Sequence, residues 1–290
     1  MGINVLSCFD GMSCGQIALN RANINYDNYY ASEIKKYAIQ NTQRNYPNTI
    51  QLGNICEIDP SLLPHIHLLI GGFPCKGISK LNKNQEGLEH KESKLFYEYL
   101  RLWKALNPDY FLLENTRGNK EALEIVTEIM GVKPIMINSK LVSAQNRPRL
   151  YWTNIPNIEL PKDKNITTND VFDMSYFPSD LIVTPGRLKW ILSESGQRSI
   201  KKQYTKINPF PKTACITAGG HRKWNENYLF NGKDYRSLSV EELEQLQTVT
   251  QGYCKEMKYN DAYDVLGDGW TVDVIAHILL RLPESWKTTQ

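Results

Sequence analysis

The stretch from His67 to Ser79 (HLLIGGFPCKGIS) constrains this chain more than any other. An apolar run, Leu68-Leu69-Ile70, stops at Gly71-Gly72 and Pro74. A buried strand that ends in such breakers passes the next side chain to a loop at the sheet edge. That side chain is Cys75. Pro74 fixes the backbone ahead of the thiol, Gly77 frees it behind, and Lys76 supplies a positive charge that favours thiolate. The bland alternative is a soft residue filling a gap under the loop, since free cysteine is among the most buried residue types.

The same design recurs along the chain. Asn4 to Phe9 reads as a buried strand, Asp10-Gly11-Met12-Ser13-Cys14-Gly15 as a tight turn, and Gln16 to Arg21 as the start of a helix. Tyr29 to Ser32 is a second strand with Glu33 at its carboxyl end. Lys35 to Tyr46 is helical up to Pro47, and Gln51 to Ile55 is a short third strand. Strand, turn and helix in repetition predict a doubly wound α/β sheet, in which ligands sit outside the carboxyl ends of the strands. An acid at the position of Glu33 binds ribose hydroxyls in dinucleotide folds. Asp109 to Glu114 is another strand with a polar tip, and Glu114, behind four apolar or aromatic residues, is expected to be a desolvated carboxyl with a raised pKa. Lys120 to Met130 is an amphipathic helix. Ile135 to Ile137 and Leu150 to Trp152 form an antiparallel edge, and alternation between them puts Gln145, Arg147 and Arg149 on one side.

With 290 residues, 41% of them hydrophobic and 22% charged, the chain can bury one large core, or a large and a small one. From about Met174 to Lys258 the pattern weakens around Pro178, Pro185, Pro209 and Pro211, which predicts a second, smaller domain of short strands and loops. Basic residues at 198–206 and at His221-Arg222-Lys223 alternate with Tyr204, Trp224 and Tyr228; such mixtures suit phosphate contact and base-edge reading, or form a solvated rim. Ser239 followed by Glu242 fits a capping box. The net charge of +3 does not by itself point to a nucleic acid. The cysteines (8, 14, 56, 75, 215, 254) form no CxxC pair and no zinc-type cluster, so neither a disulfide frame nor a metal is expected. No apolar run reaches the ~20 residues of a membrane span and no signal-peptide pattern opens the chain, so a cytoplasmic protein is expected.

Taken with Glu114-Asn115-Thr116 and Gln145-Asn146-Arg147-Pro148-Arg149, the Cys75 segment resembles the DNA cytosine-5 methyltransferases, the short phage and bacterial members above all. The resemblance covers nearly the whole chain. It implies a Rossmann-like S-adenosylmethionine-dependent methyltransferase sheet over 1–175, a target-recognition domain over 176–258, and a carboxyl-terminal segment over 259–290 that returns to the first domain. The donor would be held by Phe9, Asp10, Gly11, Ser13, Cys14, Gly15, Glu33, Ile34, Asn54, Ile55, Phe73, Pro74, Lys76, Asp268, Gly269 and Trp270. Catalysis would fall to Cys75, Glu114, Arg147 and Arg149. Lys76, Ser79, Lys80, Gln145, Arg222, Lys223 and Arg236 would contact double-stranded DNA, and the polar loop after Cys75 would close over it.

Several positions depart from the family pattern: Asn54 replaces an aspartate, Thr116 a valine, Lys76 a neutral amide and Asp268 an asparagine. Lys76 and Asp268 together raise the alternative of carboxy-S-adenosylmethionine as donor, with 5-carboxymethylcytosine as product. Two further alternatives are a DNA-binding module without catalysis and an RNA cytosine methyltransferase. A monomer in a bacterial cell or phage-infected host is expected, acting as a restriction partner, a regulator or a phage defence.

Overall fold

In a computed structural model of the chain, residues 2–78 and 86–287 are described. Ser79, Lys80 and residues 81–85 of the polar loop (80–94) expected to close over DNA lie outside them. The first part of the chain runs β1 (Ile3–Cys8), α1 (Cys14–Arg21), β2 (Tyr26–Ser32), α2 (Lys36–Asn45), β3 (Ile50–Gln51), β4 (Leu68–Gly72), α3 (Phe96–Leu106), β5 (Tyr110–Thr116), α4 (Lys120–Met130), β6 (Ile135–Asn138) and β7 (Pro148–Thr153). These strands make one sheet in the order β3-β2-β1-β4-β5-β7-β6. Pairings from β3 through β5 are parallel, whereas β7 lies antiparallel to β5. The order reverses beside β1, which is the crevice where a doubly wound sheet takes its ligand.

The central strands are buried almost without alternation, as parallel strands covered on both faces must be: Val5, Leu6, Leu68, Leu69, Ile70, Leu112 and Leu113 have no exposed surface. α3 adds Phe96, Tyr99 and Leu102, spaced for one face of a helix, to a core that also holds Phe111 and Trp152. Truncating Leu102 to alanine there would cost about 2–5 kcal/mol. The third strand is shorter than its sequence suggests. Gly53 turns the chain at φ 71°, and the Asn54 side chain accepts from Cys56 N, so Ile55–Glu57 winds into a 3-10 turn instead of extending.

The chain divides into two units. The first contains 1–137, 148–161 and 272–290; the second contains 138–147 and 162–271. This division differs from the expected boundaries, because 138–147, 162–175 and 259–271 all pack with the second unit. That unit is also more helical than expected. It holds α5 (Pro185–Leu192), α6 (Glu194–Lys201), β8 (Lys206–Ile207), α7 (Gly220–Lys223), β9 (Asn227–Phe230), β10 (Tyr235–Ser237), α8 (Val240–Leu246) and α9 (Tyr259–Asp268), with the strands in the order β10-β9-β8. Pro185 breaks nothing: it occupies the first turn of α5 behind the Thr184 cap, where a missing N–H costs no hydrogen bond. A small core gathers Val183, Ile191 and Tyr228. Ser239 and Glu242 form the expected capping box at α8. The last helix, α10 (Val272–Leu279), belongs to the first unit, where it packs on α1 and Asp273 pairs with Arg21. Among the described residues no helix is long and apolar enough to cross a membrane.

Candidate active site

At the carboxyl end of β4 the chain leaves the sheet through Phe73 and Pro74 to Cys75, which is partly exposed. Phe73 anchors this exit in the core against Phe96. The turn beyond is fastened from several sides. Ser93 Oγ donates to the Pro74 carbonyl (3.2 Å) and accepts from Gly77 N (3.0 Å); Asn119 N donates to the Ile78 carbonyl (2.7 Å). Gly77 is obligatory here, because a Cβ would stand 2.1 Å from the Gly87 carbonyl oxygen and 2.4 Å from the His90 Cβ. Ser93 lies far along the chain and carried no local signal. Lys76, expected to touch donor or DNA, is 67% exposed, and its ammonium pairs with Glu92 at 2.5 Å.

The neighbouring strand brings the acid. Register pairs Gly72 with Glu114, and Asn115 Nδ2 donates to the Phe73 carbonyl at 3.0 Å, so the end of β5 is tied to the turn that carries Cys75. Glu114 is buried, but not alone among apolar groups as expected: Arg149 Nε on β7 lies 3.0 Å from Oε1. A carboxylate against a guanidinium, both nearly enclosed, gives a fixed set of donors and acceptors at the strand ends.

Arg147 belongs elsewhere. Its guanidinium is 3% exposed and donates to the carbonyls of Ile216 (2.7 Å), Gly267 (3.0 Å) and Gly269 (2.8 Å) in the second unit. It is a structural clamp, not a free grip on phosphate. Gln145, with no exposed surface, donates to the Leu246 carbonyl and accepts from Ile216 N, so it holds the second unit together instead of facing DNA. Gln145 and Arg147 are buried on either side of exposed Asn146, as alternation requires, but both are sealed within the second unit, whereas Arg149 on β7 pairs with Glu114. Arg236 is likewise fully buried, in a two-pronged pair with Glu242 (2.6 and 2.7 Å) that braces the capping box. By contrast, Arg222 and Lys223 are exposed.

The glycine turn after β1 is held in a conformation few side chains adopt: Phe9, Gly11 and Ser13 all have φ between 60° and 64°. Glu33 wires the turn to the end of β2, accepting from Gly11 N through one oxygen and from Ile34 N and Lys35 N through the other, each at 2.8 Å. Ile34 is 70% exposed beside it. Asp10 is buried. Its Oδ1 accepts from Tyr29 Oη (2.8 Å) while Oδ2 has no hydrogen-bond partner, and burial, only partly offset by neighbouring hydroxyls, pushes its pKa up to about 6. An enclosed oxygen without a donor is costly unless something supplies one. Cys14, Ile55 and Phe73 are buried in the core. Gly15 serves packing, since a Cβ would meet Ile70 and the Tyr29 hydroxyl at 2.5 Å. Asn54 Oδ1 accepts from Cys56 N, and Gly53 before it faces open space. Asp268, Gly269 and Trp270 end α9 and follow it, in the second unit.

At the opposite, amino ends of β4 and β5, ligand atoms of His65, His67 and Asp109 lie within 4.8 Å of one another. His67 Nδ1 accepts from Asn4 N and His65 Nε2 meets Asp109, so these groups already satisfy each other and the backbone.

A sheet of this order, with a glycine turn after β1 and an antiparallel strand beyond β5, has the fold of the S-adenosylmethionine-dependent methyltransferases. It matches the Entamoeba histolytica methyltransferase EhMeth with a TM-score of 0.78 at 16% identity, over 99% of this chain and 100% of that one. It matches the Spodoptera frugiperda DNMT2 structure with a TM-score of 0.74 at 14% identity, over 97% and 99%.

The chain belongs to the C-5 cytosine-specific DNA methylase family, whose model matches residues 3–169. Among curated relatives it is 28% identical to the type II methyltransferase M.NgoBI of Neisseria gonorrhoeae, over 93% of this chain and 90% of that protein. It is 26% identical to the orphan methyltransferase M.Rho11sI of Bacillus phage rho11s, over 80% of this chain and 53% of that protein. The orphan methyltransferase M.SPRI of Bacillus phage SPR is 30% identical over 53% of this chain and 38% of that protein. The chain thus spans about half or less of these two phage relatives.

Proposed function

We propose that this chain transfers a methyl group from S-adenosylmethionine to C5 of cytosine in double-stranded DNA, with Cys75 as nucleophile. The observation that carries the reading is the strand register that sets Glu114 beside Gly72 and ties Asn115 to Phe73, two residues before Cys75. That arrangement gathers a thiol, an acid and a guanidinium at one sheet end.

Cytosine C5 is a poor nucleophile while the ring is aromatic. Addition of the Cys75 thiolate at C6 breaks the C5–C6 double bond and moves its electrons toward C5 and N3. Glu114, after taking up a proton from solvent, meets the charge at N3 by donating it or by a strong hydrogen bond, and Arg149 orients Glu114 while offering guanidinium donors toward O2. Once C5 carries the methyl, loss of its proton to water expels Cys75 as thiolate and restores the C5–C6 double bond. When bound, S-adenosylmethionine supplies an electrophilic methyl on a sulfonium sulfur. The first unit's residues fit such a donor: Asp10 has a buried oxygen awaiting a donor, Glu33 stands at the end of β2, and Ile34 offers exposed apolar surface. The target nucleotide must leave the duplex stack, at about a few kcal/mol. The carboxymethyl alternative has less support, because Lys76, the cation it needs, pairs with Glu92.

The test is incubation of the purified chain with duplex DNA and S-adenosylmethionine, followed by nucleoside mass spectrometry. 5-Methylcytosine is expected, with at least a thousandfold loss in Cys75→Ser and a covalent adduct on 5-fluorocytosine DNA. Undiminished modification by Cys75→Ser, or modification confined to RNA, overturns the reading.

A further inference from the structure

The segment from Thr217 to Trp224, which contains the short helix α7, is seated on α9 more firmly than a solvated rim requires. Asp264 of α9, itself buried, accepts from Gly219 N through Oδ1 (2.8 Å) and from Arg222 Nη1 through Oδ2 (2.7 Å). Gly219 has φ 72°, and a Cβ there would stand 3.1 Å from Arg222 Nη2, so the guanidinium lies across a bare Cα. From the other side, Gly267 brings α9 so close that a Cβ would reach 2.3 Å from Ala218 N. His221, next to Arg222, packs its ring on Tyr263 of the same helix at 4.9 Å. Yet the Arg222 side chain remains 58% exposed.

A carboxylate fixed to an outward-facing arginine is the wrong device for gripping phosphate, since it cancels the charge on which counterion release depends. It is the right device for reading a base, where a guanidinium with its rotamer set in advance meets O6 and N7 of guanine. Five N–H donors let one side chain hold Asp264 and still address a partner.

We propose that Arg222 is a specificity-determining residue that reads a guanine in the target sequence, with Asp264 as its positioning residue. The assignment rests on the reading of the chain as a DNA cytosine methyltransferase. The experiment maps the sequence context of modified cytosines in a randomised duplex library for wild type, Arg222→Ala, Arg222→Lys and Asp264→Asn, with thermal melts of each. The wild type is expected to require guanine at one position. Both Arg222 variants lose about 10- to 100-fold of the discrimination there while the other positions keep theirs. Asp264→Asn loses part of it. If the melts show Asp264→Asn unfolded, the two Arg222 variants decide alone. An unchanged guanine preference in them, a wild-type context without guanine, or a uniform loss across all sites with a shallower salt dependence overturns the assignment. A wild type that modifies no DNA cytosine overturns the substrate reading beneath it, a distinct result.

Discussion

At the scale of single residues, Asp10 is the side chain whose environment makes the sharpest demand. Burial raises its folded-state pKa from 3.8 to about 6, so the fold favours the protonated form. The stabilisation from this group is full below about pH 4 and is lost as pH rises through about 6, a swing of about 3 kcal/mol at most. Asp10→Asn keeps a neutral group in place, and urea unfolding without donor is expected to find it more stable than wild type at pH 8, with the difference gone at pH 4. Arg236 is the second case. Removing one partner of a buried ion pair strands the other, so Arg236→Ala is expected to cost about 3–5 kcal/mol in thermal melts, while leaving the salt dependence of DNA binding by the remaining folded protein unchanged. Neither environment was legible locally. Asp10 was expected to hold the donor, with no sign of its burial, and Arg236 was expected to contact DNA because its partner Glu242 belongs to a helix cap. The places of Cys75, Glu114 and Glu33 at or just beyond strand ends were legible, because each follows an apolar or aromatic run, and for Cys75 Gly71, Gly72 and Pro74 mark the end of that run.

At the scale of elements, the parallel strands and the helices between them followed from periodicity, since α3 and α4 each commit one face to the core. In the second unit α8 followed from its capping box, but α5 and α6 did not. Their starts are written in caps, Thr184 before Pro185 and Ser193 before Glu194, and proline in a first turn resembles proline in a loop until the cap is seen. The turn after Cys75 carries its own prediction. Gly77→Ala forces a Cβ into the Gly87 backbone, and flexible side chains cannot absorb that clash. The variant is expected to lose at least about a hundredfold in kcat/KM, measured by methyl transfer, while circular dichroism shows the sheet intact.

At the scale of the whole molecule, binding to duplex DNA is expected to weaken by about two or more orders of magnitude between 50 and 200 mM salt, as titrations would record. Arg147 and Gln145 add nothing to that slope, being sealed among carbonyls and amides. The chain passes from one unit to the other after residues 137, 147, 161 and 271. Exchanging the second unit with that of a relative therefore takes two transplants. A graft of 162–271 alone would leave Arg147 behind with a stranger's backbone in place of Ile216, Gly267 and Gly269, so the short piece 138–147 must travel with its hosts.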